Sequence, residues 1–272
     1  MSRSYPDEKK SFSVPRIMKM KGKGTLATIT CYDATFARII DKTPIQLVLV
    51  GDSAANVIYG LDSTLPVSID EMVMHTRAVA AGLSKALLVA DMPFGSYQPS
   101  AEIAITNASK LLAAGAQAVK VEGGSPHIRE IIGKLVEVGI PVMGHLGLTP
   151  QSVHKIGGYK LQGKKDADAE LMLSEAGLLE EAGCFSIVLE KIPAELAEKI
   201  TSAVSVPTIG IGAGPDCDGQ ILVLYDILGL DPEFKPRFVR RYAELEQVIR
   251  EALERYTEDV SRGKFPSEEE SF

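Results

Sequence analysis

Asp52 and Asp91 each follow a short apolar run. Leu47-Val48-Leu49-Val50 leads through Gly51 to Asp52, and Leu87-Leu88-Val89-Ala90 leads directly to Asp91. A continuous apolar run of this kind is the signature of a buried parallel strand, because both of its faces are covered. Neighbouring strands lie about 4.8 Å apart, so carboxylates at two adjacent strand ends can share one divalent cation. Ligands that are all oxygen favour Mg²⁺ or a similarly hard ion. A lone Asp after a strand usually caps the next turn. A series of charged strand ends reads instead as the rim of a barrel active site.

The series continues along the chain. Ala118-Val119-Lys120-Val121 runs into Glu122-Gly123-Gly124. Lys120 and Glu122 are two apart on one strand and point to the same side. Lys120 interrupts an apolar run, and a buried ammonium needs a carboxylate or a bound anion. An ion pair with Glu122 or Asp91 meets that need, and so does a substrate carboxylate. Ile187-Val188-Leu189 runs into Glu190. A closed barrel would bring Glu190 across the mouth from the two Asp residues, where a general base serves better than a metal ligand; capping the helix after Pro193 is the other reading. His145 ends the run Pro141-Val142-Met143-Gly144 and reads as a hydrogen-bonded support. His75 and His127 fall in helical patterns as surface or support residues, and His154 receives no role. Gly210–Gly214 lacks the spacing of a dinucleotide-binding loop, so close packing at the barrel top is the reading there. The glycine-punctuated stretch Gly157–Lys164 is either a lid or an ordinary surface loop.

Positioning such residues requires strands that alternate with helices. Strands are expected near Leu26–Thr30, Leu47–Val50, Ala86–Ala90, Ala118–Val121, Pro141–His145, Phe185–Leu189 and Pro207–Ile211, with an eighth in Ile221–Leu224. Between them lie amphipathic stretches with recognisable ends. Ser68 caps one that carries Asp70 and Glu71 in its first turn, Ser100 caps one that stops at Gly115, and Ala169–Ala182 stops at Gly183. Alternation of this kind predicts an α/β fold, and nearly eight units favour a single-domain (β/α)8 barrel over residues 1–272. A short helix opening at Ser13-Val14-Pro15 is expected to plug the amino-terminal mouth of the barrel. Arg237–Arg262 is expected to form an extended helix with Phe238, Tyr242, Ile249, Leu253, Tyr256 and Val260 on one stripe. Residues 1–12 and 266–272 read as loose tails.

Composition narrows the function further. The 272 residues are 45% hydrophobic and 24% charged, with a formal net charge of −7. No basic face is clustered, which argues against nucleic acid or an anionic membrane as a partner. Met1 to Lys10 has no apolar signal core, and no run is long enough to span a bilayer. Cys31, Cys184 and Cys217 form neither a disulfide framework nor a zinc motif, so a reducing cytoplasm is expected.

Several ordered blocks carry a resemblance. They are Val50-Gly51-Asp52-Ser53, Asp62-Ser63-Thr64-Leu65-Pro66-Val67, Ala90-Asp91-Met92-Pro93-Phe94, Val119-Lys120-Val121-Glu122-Gly123-Gly124 and Gly144-His145-Leu146-Gly147-Leu148-Thr149-Pro150-Gln151. They continue through Gly157-Gly158-Tyr159-Lys160, Val188-Leu189-Glu190 and Ile209–Gly214 to Phe265-Pro266. Together they resemble the ketopantoate hydroxymethyltransferase family from about Ser13 to Phe272, in order and without large gaps. One departure is Ala54-Ala55-Asn56, where many members carry Leu-Gly-Met.

The resemblance implies a (β/α)8 enzyme of the cytoplasm and of pantothenate and coenzyme A synthesis, holding one Mg²⁺ per subunit. It would transfer a one-carbon unit from 5,10-methylenetetrahydrofolate to 3-methyl-2-oxobutanoate, giving ketopantoate. Asp52 and Asp91 would bind the metal, with Glu122 near it, directly or through water. Ser53 and Lys120 would hold the keto acid with Asp52 and Asp91, and Glu190 would accept the proton. Members are often homodecamers built as paired pentamers. Two rivals remain. One is another Mg²⁺-dependent keto-acid carbon–carbon lyase on the same barrel. The other is a non-catalytic oligomeric sensor of small ligands, which would have lost some of these charged residues.

Overall fold

The computed structural model describes residues 11–272 apart from Gly24. Eight parallel strands close into a barrel in chain order: β1 (Leu26–Thr30), β2 (Leu47–Val50), β3 (Leu87–Asp91), β4 (Ala118–Glu122), β5 (Val142–Gly147), β6 (Ser186–Glu190), β7 (Thr208–Ile211) and β8 (Gly219–Leu222). Closure pairs Leu26 of β1 with Gly219 of β8. A Cβ on Gly219 would stand 2.7 Å from that of Leu26, so the seam leaves no room for a side chain there. The expected eighth strand lies two residues earlier than its most apolar stretch. Gly219 and Gln220 carry no hydrophobic signal, yet they pair with Leu26 and Ala27.

Helices begin where side chains can satisfy their free N–H groups. Ser68 and Glu71 form a reciprocal capping box that opens the helix Ile69–Ala80, and Ser100 accepts from Ile103 N to open Ala101–Ala114. That helix stops at Gly115, which adopts φ +117. The helix expected from Ala169 begins earlier, at Asp166, and ends at Glu181 ahead of Gly183 at φ +97.

The expected amino-terminal helix is α1 (Val14–Met18). Its Ile17 is fully buried in one cluster with Leu26, Leu47, Leu87, Ala118, Met143, Ile209 and Ile221, and so closes the lower end of the barrel interior. Phe12 packs against the same cluster, donates its N–H to Lys85 O and lies under the Arg16 guanidinium. The expected loose tail therefore stops short of Phe12; residues 1–10 lie outside the described residues.

The chain parts into two compact units after Leu222, the first of which holds all eight strands of the barrel. The second unit holds two helices, Leu224–Ile227 and Leu245–Ser261. The long helix starts at Leu245 rather than at Arg237, because the stretch before it is held as a loop. Arg241 donates from its guanidinium to Asp231 O and Phe234 O, and Tyr242 N donates to Ile227 O. Phe238 and Tyr242 therefore fall outside the helical stripe. Ile249, Leu253, Tyr256 and Val260 lie on the helix and are exposed. Glu268–Glu270 forms a capped 3-10 turn within the tail expected to be loose.

Candidate active site

The period of two in a strand builds the site. Leu87 and Val89 face the barrel interior, so Asp91 does as well; Ala118 is followed by Lys120 and Glu122, Met143 by His145, and Val188 by Glu190. The apolar layer at the bottom is thus overlaid by a charged layer at the carboxyl ends of β3 to β6. Register places the neighbours side by side: Asp91 pairs with Lys120, and Glu122 with His145.

Lys120 stands at the centre of this layer. Its Nζ lies 3.0 Å from Asp91 Oδ1, 3.8 Å from Glu122 Oε1 and 3.2 Å from His145 Nδ1. Of the two ion pairs open to it, the Asp91 pair is the closer. His145 Nδ1 is 3.3 Å from Glu122 Oε1, and its Nε2 is 3.3 Å from Glu190 Oε2. His145 therefore joins the centre of the layer to Glu190, whose side chain at 20% exposure is the one in this group that reaches toward solvent. Asp52 lies just beyond β2, and its backbone N–H donates to Asp91 Oδ2 at 2.9 Å. Ser53 Oγ sits 2.8 Å from the Tyr32 hydroxyl. A Cβ on Gly51 would come within 2.6 Å of that Oγ, so glycine lets the turn bring Ser53 in close. Ala54 and Ala55, where the family pattern differs, are fully buried, and Asn56 donates to Leu61 O at 2.7 Å.

Electrostatics follow from four carboxylates packed around one ammonium and one imidazole. Burial, then Asp91 and Glu122, push the Asp52 carboxyl well above the carboxylate range. Burial also raises Asp91, outweighing the Lys120 ammonium beside it. Burial works against Glu122 too, but its contact with His145 and the charge of Lys120 hold it below the usual value. For His145, burial and Lys120 oppose the charged ring, yet Glu122 and Glu190 prevail and raise it to about 9. Asp91 Oδ1 and Glu122 Oε1 are buried and accept no aligned hydrogen bond among the described residues.

This donor set suits a small hard cation. Among the described residues no three His, Cys, Asp or Glu side chains form a ready-made metal cage. Mg²⁺ does not need one, since it is commonly held by one or two carboxylates together with substrate and water oxygens. Asp91 Oδ1 and Glu122 Oε1 already face Lys120 and His145, so what favours such an ion is the remaining excess of buried negative charge in the layer.

Two side chains without an assigned role complete the layer. Gln151 donates from Nε2 to Asp52 Oδ2, and Tyr97 donates to Gln151 Oε1. Neither stands in an apolar run ending in a charge, which is the pattern that singled out the other residues. A cavity of about 550 Å³ shares Glu122, Tyr97 and Gln151 with the layer and is walled further by Phe94, Ile128 and Leu146. The loop Gly157–Lys164 is tied to neighbouring segments: Lys191 Nζ donates to Tyr159 O, Gln162 N to Lys191 O, and the Tyr159 hydroxyl to Asp62 O. Gly214 meets Ala194 so closely that no Cβ would fit, in keeping with close packing at the barrel top.

The family model described as ketopantoate hydroxymethyltransferase matches residues 11–268. The chain belongs to this family. A relative from Syntrophotalea carbinolica, named 3-methyl-2-oxobutanoate hydroxymethyltransferase, is 54% identical over 94% of this chain and 96% of its own. A relative of the same name from Thermotoga maritima is 51% identical over 96% of each chain. Among solved structures, 2,3-dimethylmalate lyase of the PEP mutase/isocitrate lyase superfamily superposes with a TM-score of 0.60 at 14% identity, over 90% of this chain and 88% of that one. That likeness concerns the barrel alone. Among the described residues no helix is long and apolar enough to cross a membrane.

Proposed function

We propose that this member of the ketopantoate hydroxymethyltransferase family transfers a hydroxymethyl group from 5,10-methylenetetrahydrofolate to 3-methyl-2-oxobutanoate, giving ketopantoate in coenzyme A synthesis. The observation that carries the reading is the charged layer itself, with Asp91, Glu122 and Glu190 in contact with Lys120 and His145, and Asp52 beside Asp91, above an apolar barrel interior. Asp52 and Asp91 would hold one Mg²⁺, with Glu122 beside it directly or through water. When bound, the ion would stabilise negative charge developing on the keto oxygen.

The chain's own groups do the rest. Lys120, with Ser53 near the rim, holds the carboxylate of the keto acid and offsets its charge. Glu190 takes the proton from C3, and its side chain is open enough to meet substrate. His145 holds Glu190 in place from below. C3 then bonds to the folate methylene as its bond to one folate nitrogen breaks, and water supplies the hydroxyl as the bond to the other nitrogen breaks, the protons from C3 and from the water going to the two nitrogens. The cavity beside Glu122 offers room for part of the folate.

The lyase reading is the weaker one. Enzymes of that kind typically use a reactive cysteine in a mobile loop, and here Cys31, Cys184 and Cys217 are buried outside Gly157–Lys164. A sensor reading leaves Glu190 without a purpose. The proposed setting is the cytoplasm and the proposed assembly a homodecamer, which light scattering checks. The activity test is ketopantoate formation with and without Mg²⁺, joined to folate-free deuterium exchange at C3 read by proton NMR. Wild-type protein should catalyse the exchange, and Glu190→Gln should lose it by about 10²–10⁴-fold. Exchange at the wild-type rate in that variant would remove Glu190 from the role of base.

A further inference from the structure

Gln151 spends the whole hydrogen-bonding capacity of its side chain inside the charged layer. Its Nε2 donates to Asp52 Oδ2 at 2.9 Å and to Met92 O at 3.0 Å. Its Oε1 accepts from the Tyr97 hydroxyl at 2.9 Å and from Gln98 Nε2 at 3.1 Å. A primary amide has two N–H donors and two acceptor lone pairs, so nothing is left over. Turning the amide over would set its oxygen against a carboxylate and a carbonyl, and its N–H groups against the Gln98 donor. The network therefore fixes which end faces Asp52.

A second link comes from the backbone. Gln151 N–H donates to Glu122 Oε2 at 3.0 Å. One residue thus holds an oxygen of Asp52 through its side chain and an oxygen of Glu122 through its main chain. Tyr97 closes the circuit, because its hydroxyl accepts from Glu122 N at 3.2 Å while it donates to Gln151. The residue is itself held, buried in the 3-10 turn Pro150–Ser152 that follows β5. Asp52 and Glu122 come from strands that are not adjacent, β2 and β4, so no ladder hydrogen bond sets the angle between their carboxylates.

We infer that Gln151 is the positioning residue of this site: by bridging Asp52 and Glu122 it sets the relative orientation of the two carboxylates and hence their affinity for a divalent cation. The second half rests on the metal reading above; the first stands on the hydrogen bonds alone. Residues that orient metal-binding side chains typically cost 10–100-fold in metal affinity or activity when lost.

The test is Gln151→Met, which keeps the length of the side chain and removes its donors and acceptor. It is read by a crystal structure of the metal-free variant and by calorimetric titration of Mg²⁺ into wild-type and variant protein. The expected result is an unchanged barrel, an Asp52 carboxylate rotated away from its wild-type place, and Mg²⁺ affinity weaker by about 10–100-fold. A merely structural residue would lower the melting temperature while the folded variant bound Mg²⁺ as wild type does; that result overturns the proposal, as does an Asp52 that stays in place. If wild-type protein binds no Mg²⁺ but Asp52 still turns in the variant, the positioning role stands and the metal reading falls. Should Gln151→Met fail to fold, Gln151→Asn carries the same test: it keeps the amide and adds no charge, but is one methylene too short to reach Asp52 and Tyr97 together.

Discussion

The barrel interior has two floors built on the same strands. The lower floor, with Ile17, Leu26, Leu47, Leu87, Ala118 and Met143, is apolar and closed by α1. The upper floor, two to four residues further along those strands, carries Asp91, Lys120, Glu122, His145 and Glu190. Apart from the Glu190 side chain both floors are buried, so burial alone does not separate structure from function. The lower floor gains from leaving water, at about 25 cal/mol per Å² of apolar surface. The upper floor loses hydration of its charges and must recover it in paired contacts. The lower floor therefore holds the strands together, and the upper floor is a set of charges that the lower floor can afford to keep.

Removing the central cation should give the largest effect on this comparison. Lys120→Met would leave Asp52, Asp91 and Glu122 buried with their one ammonium gone. Breaking a buried ion pair from one side costs about 3–5 kcal/mol, and urea denaturation of the metal-free protein should show a loss of that size. Adding Asp91→Asn to the same chain should recover part of it, since the stranded charge is then neutral. A single variant as stable as wild type would mean that water already reaches Lys120 and that the upper floor is not dry.

The lower floor should answer in the opposite way. Ile17→Ala opens a cavity under the barrel and should cost about 2–5 kcal/mol by the same denaturation measurement. Turnover per folded molecule should stay near wild type, because Ile17 lies at the end of the interior away from the charges. Loss of turnover at unchanged stability would show that α1 reaches the site through some path other than packing.

How much of this was legible in the sequence follows the same division. The charged strand ends stand out because Asp91, Lys120, Glu122 and Glu190 interrupt or close apolar runs, and their inward direction follows from counting in twos. Ser68 and Ser100 announce their helices because a cap is a local arrangement. Gln151 could not be found this way. Its partners Asp52, Met92, Tyr97 and Glu122 lie 29 to 99 residues away, and a turn after a strand has no periodicity to betray a buried side chain. The seam at Gly219 was hidden for a related reason, since glycine there is a response to Leu26 across the sheet. Arg241 kept the segment from 237 onward out of the helix through contacts with main-chain carbonyls, which charge patterning does not reveal.

The smallest expected effect compares the two ends of the barrel wall. Cys31 follows β1 at the upper end and Cys184 precedes β6 at the lower end, and both are buried free thiols. Burial is the first cause that raises Cys31 to about 11 and the sole one that raises Cys184 to about 12. The thiolate is the reactive species, so between pH 7 and 9 both should resist an alkylating reagent in the native protein and react once it is unfolded. Mass spectrometry after timed labelling reads each site separately. If Cys31 labels well before Cys184, the upper end opens on its own and the charged floor has lower local stability than the apolar one. Equal protection at both ends would mean that the barrel opens as one unit, with the charges as firmly enclosed as the apolar side chains beneath them.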